Sequence, residues 1–153
     1  MNGRASFRSG AETRPVRGAK RLRQNNSLAR AEAYRVTAAE YASLATAVAT
    51  DERLNHLLAM VMWEDAGIRD LPAPDDRQRL GSVSTAWVKL NEAVYYQVQE
   101  NVLDSTSCSL LGATIGGSRY VRETWPGIRQ EVSPEFARFF ERRFGIQAPV
   151  PDP

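Results

Sequence analysis

An all-α fold is what this sequence predicts, on three observations. Apolar residues recur at spacings of three and four along most of the chain, the period of a helix with one buried face. No segment alternates apolar and polar residues with the period of two that a half-buried strand needs. Helix start and stop signals bracket the periodic stretches. The 153 residues suit one domain at roughly 100–200 residues each. The expectation is a single domain of five or six helices with a long central helix over about 76–100.

Residues 1–27 mix Gly, Ser, Asn and Arg, with Pro15 and few bulky apolar residues beyond Phe7, Val16 and Leu22. Such a stretch buries too little surface to offset the entropy of ordering it, so a disordered basic arm is expected. It lacks the apolar core of a signal peptide. Thr37-Ala38-Ala39-Glu40 fits a capping box, and Tyr41, Leu44, Ala45 and Val48 follow at helical spacing, which predicts a first helix over 37–49. A second starts at about Asp51, carries Leu54, Leu57, Leu58, Val61 and Met62 on one side, and ends at Gly67 before the Leu71-Pro72-Ala73-Pro74 loop.

The third helix begins near Asp75 and shows Leu80, Val83, Trp87, Leu90 and Val94 at a 3-4-3-4 spacing, the seam of a bundle helix packed at a shallow angle. It runs to about Glu100, and Asn101 stands where a left-handed residue closes a helix. Asp104 reads as the N-cap of a fourth helix bearing Cys108, Leu111 and Ile115, broken by Gly116-Gly117-Ser118. A fifth carries Val121 and Trp125 until Trp125-Pro126-Gly127 interrupts or kinks it. Ser133-Pro134-Glu135 starts a last helix, with Phe136, Phe139, Phe140 and Phe144 on one face and Gly145 as its stop. The helical domain is thus placed at 28–145, followed by a Pro-rich tail over 146–153.

Composition narrows the function classes. Hydrophobic content of 42% and charged content of 25% are those of a globular protein. No window approaches the roughly 20 consecutive apolar residues of a spanning helix. Cys108 is the single cysteine, which excludes an internal disulfide framework and a Cys-based zinc cluster and fits a reducing compartment. His56 is the single histidine, so no two-histidine metal site exists. Residues 1–35 hold nine Arg or Lys against Glu12 and Glu32, a net of about +7, while the rest of the chain nets about −5. The total of +2 therefore hides a basic arm on an acidic body.

No phosphate-binding glycine loop is present. Glu64-Asp65, Asp75-Asp76 and Asp51-Glu52 are sequence neighbours whose side chains diverge on a helix, so they read as helix-terminal charges rather than a catalytic pair. Ser105, Ser107 and Ser109 have no local histidine to activate them. No residue is assigned to catalysis, to a metal or to a cofactor. Two candidate sites remain. Asn91, Glu92, Tyr95, Tyr96 and Gln97 form the most polar and aromatic stretch of the third helix, either a hydrogen-bonded layer that fixes helix register or a polar groove for a ligand. Arg17, Lys20, Arg21 and Arg23 form a basic cluster suited to a polyanion, either nucleic acid or an anionic membrane surface.

The run Trp87, Glu92, Tyr96-Gln97, Asn101-Val102-Leu103-Asp104, Trp125 and Ser133-Pro134-Glu135-Phe136 resembles a group of small bacterial all-helical proteins of unknown function. Their pattern is W-x4-FE-x3-YQ, then G-L-L-D, a tryptophan and S-P-x-F. The resemblance covers roughly residues 38–144 and implies an uncharacterised helical module with no catalytic residues to carry over. The chain departs from it at Asn91, Asn101 and Cys108, where the pattern has an aromatic residue, a glycine and a tryptophan. The expected function is a non-catalytic protein-interaction or regulatory module, bacterial and cytoplasmic, with an unknown protein as partner. The alternatives are polyanion binding through the arm, with placement at the inner membrane face, and an enzyme of unknown reaction.

Overall fold

The computed structural model of the chain describes residues 14–106 and 113–147, with side chains described over 24–106 and 115–147. Among the described residues the regular elements are all helical: α1 (Arg14–Thr50), α2 (Glu52–Trp63), α3 (Pro74–Gln99), the single turn α4 (Ala113–Gly116), α5 (Arg119–Ile128) and α6 (Pro134–Phe144). Short 3-10 turns lie at Ile68–Asp70 and Arg129–Glu131.

The sequence reading and the structure differ most at α1. The helix runs unbroken through Thr37, so the expected capping box does not form. The Thr37 hydroxyl instead donates to Gln97 Oε1 on α3 at 3.3 Å. A capping box needs an extended backbone at Thr37. Helix-favouring Ala31, Glu32 and Ala33 lead into Ala38 and Ala39, and helix continuity prevails. Helical backbone begins at Arg14, ahead of residue 28 where composition placed the domain start, and residues 1–13 lie outside the described residues. Over 24–32 every side chain is exposed. Only Ala33, Thr37, Leu44 and Val48 of the described α1 side chains are even half-buried, a single stripe laid against the body.

Asp51 caps α2 as expected, its Oδ1 accepting the Leu54 N–H at 3.0 Å. Leu54, Leu57, Leu58 and Val61 are buried. The helix stops at Trp63, well short of Gly67. The left-handed residue that closes it is Asp65 (φ 51), and Asp65 Oδ1 accepts the Arg119 N–H at the start of α5 at 2.8 Å. An aspartate tolerates that backbone conformation, so no glycine is required. The long helix α3 starts at Pro74, with the buried Asp76 carboxylate accepting the Ala73 N–H at 3.1 Å and held by the Arg53 guanidinium at 2.9 and 2.5 Å. The seam Leu80, Trp87, Leu90 and Val94 is buried. Asn101 takes the left-handed conformation (φ 57), and the Val102 N–H closes a Schellman bond to Gln97 O at 2.8 Å. Leu103 then packs on Val94 and Val98.

Asp104 Oδ1 accepts the Thr106 N–H at 2.9 Å at the start of the expected fourth helix, whose residues 107–112, including Cys108 and Leu111, lie outside the described residues. Its described end bears Ile115 on the core and stops at Gly116. Ser118 caps α5, accepting the Val121 N–H at 3.3 Å. Of the interruption or kink expected at Trp125-Pro126-Gly127, the interruption does not occur: α5 continues to Ile128. Pro126 and Arg122, whose carbonyl loses the i+4 N–H, both lie on the exposed side, where solvent can reach that carbonyl. Ser133 caps α6 with a 3.3 Å bond from the Phe136 N–H, and Gly145 (φ 64) ends it. The tail assigned from residue 146 begins one residue too early. Ile146 is buried in the core, because its N–H completes a Schellman bond to Glu141 O at 3.0 Å that folds the chain back.

The core is built by α2, α3, α5 and α6. Phe140 lies at its centre, stacked on Trp125 at 4.5 Å and 13° and edge-on to Trp87 at 6.0 Å. Such aromatic pairs add about 0.5–1.5 kcal/mol beyond the area they bury.

Candidate functional site

The structure does not bring the five polar residues of α3 into one groove. Asn91, Tyr95 and Gln97 each point to a different neighbour. Asn91 Nδ2 donates to the Trp87 carbonyl of its own helix at 2.8 Å. The Tyr95 ring lies 4.8 Å from Phe139 and 5.7 Å from Phe136 on α6. Gln97 faces α1 through Thr37.

Glu92 and Tyr96 do converge, on Ser133. Glu92 Oε1 accepts the Ser133 N–H at 2.7 Å, and the Tyr96 hydroxyl donates to Ser133 Oγ at 2.6 Å. The Lys89 ammonium lies 3.3 Å from Glu92 Oε2 and also donates to the Glu131 carbonyl. Burial pushes the Glu92 carboxyl up, but the Ser133 hydrogen bonds and Lys89 outweigh it, and its pKa falls below the ordinary carboxylate value. The cluster therefore fastens the start of α6 to α3 and keeps an anion at a helix N-terminus, where the dipole favours one.

A second polar cluster escaped the sequence reading, because its members lie about fifty residues apart. Arg119 Nε donates to Glu123 Oε1 at 2.8 Å, and its Nη1 reaches Asp70 Oδ2 at 3.2 Å. Glu123 Oε2 accepts the Ile68 N–H at 2.7 Å. Gly67 lies directly beneath this pair, and a Cβ there would stand 2.6 Å from Glu123 Oε2. These bonds tie the α2–α3 connection to α5. Only the glycine hinted at a close approach. His56 is exposed, and among the described residues no three His, Cys, Asp or Glu side chains converge as metal ligands.

What the fold leaves unpartnered is α1. At 1.5 Å per residue its 37 residues span about 55 Å, and among its described side chains, from residue 24 on, the half-buried stripe begins at Ala33. Leu28 is 62% exposed, Tyr34 61% and Tyr41 42%. Where α1 rests on the body, clefts open on both sides. One, of about 440 Å³, is lined by Tyr41, Leu44, Val48, Leu58, Met62 and Trp87. The other, of about 560 Å³, lies between Leu44, Ala47, Leu90 and Ala93, with Glu40 and Lys89 also on its wall. Arg17, Lys20, Arg21 and Arg23 fall on the α1 backbone ahead of its described side chains.

Comparison with protein families, with curated proteins and with solved structures finds no match. Among the described residues no helix is long and apolar enough to cross a membrane.

Proposed function

We propose that the chain is a non-catalytic protein-interaction module whose docking surface is α1. The observation that supports this most is the exposure of Leu28, Tyr34 and Tyr41 on a helix that reaches past the body it rests on. Large apolar side chains in water on an otherwise polar helix are what a partner surface requires. The polar residues named on α3 and α5 hold helices together, and apart from Trp63 at the end of α2 and Tyr96 on α3 the exposed large apolar side chains among the described residues, Leu28, Tyr34, Val36 and Tyr41, all lie on α1. The reading includes a bacterial, cytoplasmic setting.

The test is affinity capture from native cells with the full chain and with Tyr34→Arg, a surface change that leaves thermal stability within about 0.5 kcal/mol. A retained protein should be lost from the variant. Identical capture by both chains overturns the proposal. A second reading has its own support: residues 14–30 carry six bases and no acid on one helix, which suits a nucleic-acid backbone or an anionic membrane face. That reading requires binding that falls steeply with salt and disappears on replacing Arg17, Lys20, Arg21 and Arg23 by Gln.

A further inference from the structure

We infer that α1 is exchanged between two copies of this chain: the elbow at Asp51 straightens, and each α1 takes its seat on the other copy's body. α1 ends at Thr50 and α2 begins at Glu52, so a single non-helical residue makes the turn. Residues 19–66 contain neither glycine nor proline, and nothing in the sequence forbids a helix straight through the elbow. Side chains hold the bend instead. The Thr50 hydroxyl donates to the Thr46 and Ala47 carbonyls at 2.8 and 3.3 Å. The Asp51 carboxylate accepts the Leu54 N–H at 3.0 Å and pairs with Arg79 of α3 at 2.9 Å. In an uninterrupted helix the Asp51 N–H serves the Ala47 carbonyl, and the Thr50 carbonyl serves the Leu54 N–H. Straightening therefore gives up the Arg79 pair but strands no backbone group of the elbow.

The seat of α1 is lightly held, and it is the same seat on every copy. No described α1 side chain is fully buried; Leu44 and Val48 pack on the core, and Thr37 meets Gln97 at 3.3 Å. An exchanged α1 makes these same contacts on the partner's body, so the interface needs no new complementarity. A short hinge of this kind is the low-cost route to a dimer. Tyr41, Leu44, Val48, Asn55, Leu58 and Met62 line the cleft between α1 and α2. On one continuous helix they fall, with Asp51, at alternating spacings of three and four, a single seam. The joined helix over residues 14–63, about 75 Å long, thus keeps both apolar stripes on one side. α2 stays on its own body while α1 is presented to the other. The exchange uses this stripe and not the exposed Leu28 and Tyr34, so it goes beyond the reading of the free face and does not depend on it.

The experiment uses the full chain carrying Cys108→Ser together with Thr37→Cys and Gln97→Cys. Size-exclusion chromatography with light scattering separates monomer from dimer, and each is gently oxidised. In an exchanged dimer the 37–97 disulfide links two chains, whereas in a monomer, or in a dimer joined side by side, it stays within one. Two elbow variants of the unaltered chain shift the equilibrium. Asp51→Ala removes the cap and the Arg79 pair and suits a continuous helix. Each dimer straightens two elbows, so its association constant should rise about tenfold or more. Glu52→Pro does the reverse: proline at the first position of α2, behind the extended Asp51, fits the bend and breaks the straight helix. Its association constant should fall about tenfold or more while the monomer keeps its Tm. Disulfides confined to single chains in the dimer, equal association of the two elbow variants, or monomers at every concentration for wild type and Asp51→Ala alike overturn the exchange. Tyr34 lies off the seat, so Tyr34→Arg should leave the interchain 37–97 link intact whatever it does to capture of another protein, and the two readings fail separately.

Discussion

Glu92 offers the sharpest test of what the polar face of α3 does. Replacing it with Ala removes the acceptor of the Ser133 N–H, a 2.7 Å bond to a charged group in a side chain that is only 15% exposed. Hydrogen bonds to charged groups are worth about 1.5–3 kcal/mol. The loss of an anion at the α6 N-terminus adds about 0.3–1 kcal/mol. The Lys89 pair adds little, because Lys89 stands half in water. The expected destabilisation is about 2–3 kcal/mol, which lowers Tm by roughly 5–10 °C in a chain of this size. Glu92→Gln keeps an oxygen acceptor and should cost about half as much.

The pH dependence has a definite sign. The folded carboxyl titrates below its ordinary value, so its contribution is complete above about pH 4.3 and fades as pH falls through the lower folded value. Urea unfolding of wild type, Glu92→Ala and Glu92→Gln at neutral and acid pH measures this. The gap between wild type and Glu92→Gln should close in acid. A Glu92→Ala chain within about 0.5 kcal/mol of wild type would refute the structural role and return this helix face to the list of binding surfaces.

Three further outcomes follow from the same packing. Glu141→Ala leaves the buried Trp125 Nε1–H without its 3.0 Å acceptor and frees Arg129, so it should cost about 1–3 kcal/mol in denaturant unfolding. Gly116→Ala drives a Cβ into the Phe144 ring, and calorimetry should show a loss of about 1–3 kcal/mol. Asn101→Gly should be neutral or mildly stabilising, and Asn101→Val should destabilise by about 1 kcal/mol or more, since φ there is 57; equal Tm values for the two would contradict the left-handed turn.

The elements read correctly from sequence are those whose signals lie within a few residues. Ser133, Pro134 and Gly145 bound α6 through bonds at separations of three to five, and Asn101 closes α3 the same way. Thr37 misled because a cap signal is also local, yet whether it acts depends on the helix formers on both sides of it. Gly67 misled because the left-handed turn went to Asp65, whose carboxylate meets Arg119 at a separation of 54. The functional pattern was harder still. The Glu92–Ser133 bond spans 41 residues, and nothing in the spacing of either segment foretells it. The exposure of Tyr34 and Tyr41 was equally hidden, because a seam on the free side of a helix has the same period as one on the core side.

The single half-buried stripe of α1 also implies two tiers of stability. Among the described residues none of the α1 side chains is fully buried, while α2, α3, α5 and α6 contribute the buried core. A helix so held opens at a small fraction of the free energy that unfolds the rest, and its backbone amides exchange with solvent long before those around Phe140. Lifting α1 away exposes the apolar flank of α3 near Leu90 and Ala93 and uncovers Leu58 and Trp87, beside which Leu44 and Val48 lie. The element best placed to meet another molecule is thus the one the fold can release most cheaply, so its docking on the body and its docking elsewhere can trade places while the core persists.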